Sequence, residues 1–241
     1  MTGAFLFVMK KLLSLKNFTK FEITLWLCSS LAIVLSFVAV SSNDILTLVS
    51  SLIGITSLIF VAKGNAFGQL LMIVFSVFYG IVSYYFRYYG EMITYLGMTA
   101  PIALITMIAW LRHPFKNTAE VAVMRMTKKQ IAVMTILTAA VTFVFYFILK
   151  ALGTTNLAVS TVSIATSFFA AYLTLLRSPY YALGYALNDI VLVVLWTAAT
   201  ITQTDYLPMA ICFLMFLLND LYGFKSWRKM QKRQEKELKA A

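Results

Sequence analysis

What most limits the folds open to this sequence is a succession of apolar runs, each long enough to cross a bilayer and separated by short polar breaks. A helix needs about 20 mostly apolar residues to span the hydrocarbon. Eight segments qualify: Phe21–Val40, Asp44–Ala62, Phe67–Phe86, Met92–Leu111, Gln130–Leu152, Leu157–Leu176, Tyr180–Thr202 and Tyr206–Phe224. The runs are continuous rather than alternating with period two, which excludes an inserted β-barrel. Composition closes off the soluble alternatives. Charged residues make up 12% of the 241 and hydrophobic residues 61%, against about 25% charge in a typical soluble domain. The expected fold class is all-α, a polytopic membrane protein of eight transmembrane helices, with residues 21–224 as its membrane domain.

The 20 Lys and Arg against 9 Asp and Glu could suggest a nucleic-acid partner, but their placement points to lipid. With the N-terminus inside, 18 of the basic residues fall on inner segments and only Arg87 and Lys150 on outer ones. By the positive-inside rule both termini are cytoplasmic, and no nucleic-acid partner is expected. Residues 1–20 mix lysines among apolar residues and lack a small-residue cleavage site, which predicts an interfacial segment rather than a signal peptide. Residues 225–241 form a basic cytoplasmic tail.

Chemistry of the enzymatic kind is not expected. Cys28 and Cys212 lie inside apolar runs without ligand spacing, so they read as small buried hydrophobes rather than a disulfide or metal pair. The single histidine, His113, sits alone among basic residues. No phosphate loop or nucleophile–base set is evident, and the loop Arg112 to Lys129 is too short for an ATPase. No cofactor is called for.

The order of turns suggests an internal duplication. The second and sixth runs each end at a basic residue, Lys63 and Arg177. Tyr89 precedes Trp110 by 21 residues, and Tyr206 precedes Trp227 by the same 21. Residues 44–111 and 157–224 thus read as two parallel three-helix repeats, joined by a linker helix at 130–152, with the first run outside the repeat. Chance similarity between apolar stretches is the competing account.

Polar side chains in a bilayer must face protein, cavity or one another, so their positions mark the interior. In the seventh run Tyr181, Tyr185, Asn188 and Asp189 share one helical face, and Trp196 extends it. An ionised carboxylate in mid-span costs about 2.5 kcal/mol or more. Asp189 therefore either fastens the bundle or marks a site. Gln69, Met72, Ser76, Tyr79 and Ser83 line one face of the third run, and Tyr95, Thr99 and Thr106 lie on the fourth, which Pro101 can kink. Asn219 and Asp220 near the end of the eighth run read equally as interfacial caps or a gate. Thr47, Ser50, Ser51, Ser160, Ser163, Thr166 and Ser167 read as helix-packing residues, and Tyr84, Tyr85, Tyr88 and Tyr89 as an interfacial belt. Aromatics, amides and one acid together suit a flat, hydrogen-bonding, cationic solute.

These residues carry a resemblance. Gly68-Gln69, Phe78-Tyr79-Gly80-Ile81, Tyr88-Tyr89-Gly90-Glu91-Met92, Ile108-Ala109-Trp110, Arg177-Ser178-Pro179-Tyr180-Tyr181 with Asn188, and Asn219 with Trp227 are together similar to the PnuC vitamin transporters. The resemblance implies a carrier of nicotinamide riboside in a bacterial cytoplasmic membrane, a SWEET-like architecture of three, one and three helices plus an extra first helix, and a homotrimer. It also implies that the substrate, a nucleoside-like vitamin, sits between the repeats. The candidate substrate residues are Gln69, Ser76, Tyr79, Tyr95, Tyr181, Tyr185, Asn188, Asp189, Trp196 and Asn219. Tyr181, Tyr185 and Trp196 would stack the ring; Gln69, Asn188 and Asn219 would bond carboxamide or ribose, and Asp189 would balance charge. Family members for nicotinamide riboside tend to carry tryptophans where this chain has Tyr181, Gly184 and Tyr185, so thiamine and deoxynucleosides stay open as cargo. Facilitated diffusion with phosphorylation trapping the product is the leading expectation, and proton symport through Asp189 the alternative.

Overall fold

The structure, a computed structural model, describes residues 18–40, 42, 44–116, 118–154 and 156–240. The expected interfacial segment lies outside these residues except at 18–20. Among the described residues, 8 helices are long and apolar enough to cross a membrane. They are α1 (Lys20–Ala39), α2 (Ile45–Ala62), α3 (Ala66–Tyr85), α4 (Tyr89–Arg112), α5 (Lys128–Ala151), α6 (Leu157–Leu175), α7 (Tyr181–Thr202) and α8 (Leu207–Lys239).

Most boundaries follow from local chemistry. Thr19 caps α1 in a reciprocal box with Glu22. The same Glu22 carboxylate accepts from Lys63 Nζ at 3.1 Å and from the Tyr222 hydroxyl at 2.7 Å, tying α1 to the end of α2 and the middle of α8. Within α4, residues Thr94–Thr99 form a π-helical turn just before Pro101. Proline has no N–H for the carbonyl four residues back, and a widened turn accommodates the lost bond. Helix α8 runs 33 residues, well beyond the expected end at Phe224. After Gly223 its sequence holds no helix breaker and is rich in Lys, Arg, Glu and Gln, all good helix formers. The basic tail is therefore a continuation of the last span.

The packing is uneven. In its most apolar window α2 is 61% buried and α5 only 6%. Helix α5 touches mainly α6 and presents Ile136, Phe143, Val144 and Phe147 outward.

Two tryptophans lock the basic end of the bundle, where Lys63, Arg177 and the α8 extension gather. Trp110 Nε1 at the end of α4 donates to the Thr174 carbonyl of α6 at 3.1 Å. Trp227 Nε1 of α8 donates to the Val61 carbonyl of α2 at 2.8 Å. Their rings meet at 5.3 Å. Each three-helix block thus sends its last helix to the first helix of the other.

A strap, residues 113–116 and 118–127, crosses the same end. Its Val121 N–H donates to the Gly64 carbonyl at 2.9 Å and its Met124 N–H to the Arg177 carbonyl at 3.0 Å. Gly64 and Arg177 are the left-handed residues, φ 63° and 58°, that turn α2 into α3 and α6 into α7. Gln234 of the α8 extension holds the strap by bonding Val123 N and the Val121 carbonyl, and Arg125 meets Glu235 at 2.7 Å.

Candidate functional site

Close helix approach builds the site. Gly68 of α3 and Gly184 of α7 lie so near their neighbours that an added Cβ would stand 2.6 Å from Val61 N and 2.9 Å from Ala170 Cα, respectively. Four residues beyond each glycine, one turn along, come Met72 and Asn188. Both line a small enclosed void at the centre of the bundle, with Leu58, Phe75, Tyr95, Thr99, Ser167, Tyr185, Asp189, Phe216 and Asp220. The void has room for about one water molecule. The π turn of α4 supplies Tyr95 and Thr99, and its altered phase turns both toward this space.

Asn188 is oriented from α6. Its Oδ1 accepts from the Ser167 hydroxyl at 2.9 Å and lies 2.8 Å from Thr166 Oγ1. That leaves the amide N–H groups free for the void. Thr166 and Ser167, expected as packing residues, thereby position a site residue. Asp189, the next residue, is 3% exposed and sits in hydrogen-bonding contact with Asp220 of α8. Asp220 is not at the rim: it is equally buried and lines the same void, because α8 continues far past the expected end of the span.

Aromatic layers close the void at both ends. Toward the basic end, Tyr181 packs 4.8 Å from Trp227. Toward the other end, Trp196 Nε1 donates to the Tyr79 hydroxyl at 3.0 Å, and its ring lies 4.6 Å from Tyr88 and 5.7 Å from Tyr206. Tyr88 is therefore no belt residue but part of this plug; burial and the neighbouring Tyr206 push its phenol above the ordinary range. Tyr84 and Tyr85 are exposed, as the belt reading requires.

Of the ten candidate residues, the structure brings Tyr95, Tyr185, Asn188 and Asp189 to the void. Tyr79, Trp196 and Tyr181 stand in the closing layers. Gln69 and Ser76 are buried on α3 on either side of Met72, outside the lining. Asn219 turns away: its Nδ2 donates to Ser29 Oγ of α1 at 3.0 Å and to the Met215 carbonyl at 2.8 Å. Cys212 is buried and Cys28 exposed on α1, so the two expected buried cysteines differ.

Sequence reasoning missed Glu91. It is 1% exposed at the start of α4, facing the Ser163 hydroxyl of α6. A glutamate beside Tyr-Tyr-Gly at a span boundary looks interfacial in sequence, and only the packing of Gly90 against Thr154 and Leu149 pulls it inside. Among the described residues no three His, Cys, Asp or Glu side chains converge as metal ligands. Wider clefts open at the basic end, one lined by Lys63, Lys225, Lys229 and Arg233. They are lined largely by charged residues of the strap and the α8 extension rather than by facing aromatic layers.

The family model for nicotinamide mononucleotide transporters matches residues 44–229. The chain is 28% identical to the nicotinamide riboside transporter PnuC of Neisseria mucosa, covering 90% of this chain and 84% of that protein. It is 25% identical to PnuC of Haemophilus influenzae, over 78% of this chain and 81% of the relative. The crystal structure of a vitamin B3 transporter PnuC superposes with a TM-score of 0.79 at 27% identity, covering 90% of this chain and 94% of that one.

Proposed function

The chain belongs to the nicotinamide mononucleotide transporter family, and from that premise we propose that it carries nicotinamide riboside by facilitated diffusion, with the central void as its substrate site. The observation that carries this reading is the convergence of Asn188, Asp189, Tyr95 and Tyr185 on one void inside the bundle. Rings above and below suit a flat heterocycle, and the Asn188 amide suits a carboxamide or ribose hydroxyl. Asp189 balances the positive ring.

A nucleoside needs a pocket of about 300 Å³ or more, far above the present void. The blocks α2–α4 and α6–α8, read as parallel repeats, must part to admit it. Alternating access follows: the Trp196 layer opens on one side and the Trp227 layer on the other. With both termini in the cytoplasm of a bacterial cell, the membrane potential favours a cation inward by about 2.3 kcal/mol per 100 mV. Phosphorylation inside traps the product. The exposed α5 faces lipid or neighbouring copies of a trimer.

The test is radiolabelled nicotinamide riboside uptake into proteoliposomes without nucleotide or pH gradient. Equilibrating uptake with counterflow supports the reading, and its absence defeats uniport. Thiamine and deoxynucleosides in the same assay decide the cargo.

A further inference from the structure

The central void holds two acids, Asp189 from α7 and Asp220 from α8, in mutual contact. Asp189 Oδ2 is buried and finds no amide or hydroxyl donor. The ionisable groups facing the pair are Tyr95 of α4, Tyr181 and Tyr185 of α7 and Cys212 of α8, none of them a cation. Helices α2, α3 and α6 contribute only Leu58, Met72, Phe75 and Ser167 to the lining. Among the described residues, every Lys and Arg lies at a helix end, in a loop or in the tail. A buried acid normally has a paired cation or a donor set; here the protein supplies neither for Asp189 Oδ2.

Resting on the reading of this void as the substrate site, we infer that Asp189 and Asp220 act together as its charge filter, selecting solutes with one positive charge over neutral isosteres. Two carboxyls in contact inside a low dielectric do not both ionise. The pair so presents a single negative charge spread across two helices, which matches one cation. Neighbouring aromatic faces add attraction for the same charge. Asp220 is the specificity residue that the family-like aromatic and amide positions do not include.

The experiment compares binding of nicotinamide riboside with that of its neutral dihydro form, and of thiamine with neutral deazathiamine, to the purified full chain by calorimetry. The expected result is a preference of about 100-fold for the cation of whichever pair binds, the scale of a desolvated charge contact. Asp220→Asn reduces that preference about tenfold or more, and Asp189→Asn with Asp220→Asn removes it. Thermal unfolding midpoints in detergent matching the wild type show that the variants fold. Equal binding of cation and isostere by the wild type overturns the filter, as does an Asp220→Asn variant with undiminished preference. Thiamine bound with preference while nicotinamide riboside is ignored upholds the filter and defeats the nicotinamide riboside reading alone. Binding of no member of either pair overturns both.

Discussion

The block α2–α4 and the block α6–α8 share a frame and divide the chemistry. Each has a left-handed residue turning its first helix into its second, Gly64 and Arg177. Each has a close-approach glycine, and each ends in a tryptophan bonded to the other block. The lining differs. One turn past the glycine stands Met72 in one block and Asn188 in the other; seven residues before the tryptophan stand Ala103 and Asp220. The first block gives the void apolar and aromatic walls, and the second gives it an amide and two acids. The shared frame fixes where the side chains point, while the residues set on it are unequal, as the proposed recognition of an asymmetric solute requires.

Asn188→Leu breaks the unequal half most directly. It removes the void-facing donors and the acceptor of the Ser167 hydroxyl, so substrate affinity in the uptake assay falls about 100-fold. Met72→Leu, at the equivalent turn of the first block, conserves volume and changes uptake by less than about threefold. Equal losses at the two positions would erase the division. The shared frame is probed next by Gly68→Ala and Gly184→Ala, read as thermal unfolding in detergent. Overpacking costs about 1–3 kcal/mol; Gly68, facing backbone nitrogen at 2.6 Å, takes the larger share, and Gly184, at 2.9 Å, the smaller. Trp110→Phe and Trp227→Phe each delete one N–H···O bond, about 1 kcal/mol. Because the rings touch, the double variant loses less than the sum. Smallest is Arg125→Ala: the arginine is exposed, and its loss leaves the unfolding midpoint unchanged.

Much of this frame was readable as residue spacing. Apolar length marked the eight spans, because the bilayer fixes how many residues a helix needs. Asn188 and Asp189 stood out because polar groups in mid-span are costly. What eluded sequence was partnership across the bundle. Asn219 and Asp220 are adjacent, yet one bonds Ser29 of α1 and the other meets Asp189, a split that depends on how α8 is rotated. Composition set the end of α8 at its last apolar residue, but helix propensity carried it on to Lys239. The π turn at Thr94–Thr99 shifts the phase of α4, which a regular 3.6-residue pattern does not anticipate.

Because one segment, through Val121 and Met124, bonds the carbonyls of Gly64 and Arg177 at once, the two turns are tied to each other as well as to their own helices. That segment is in turn held to the α8 extension by the ion pairs of Arg125, Lys116 and Arg233 with Glu235, Glu237 and Glu120. Added electrolyte weakens such contacts. Ionic strength thus reaches both turns through a clasp that lies outside the apolar part of the bundle.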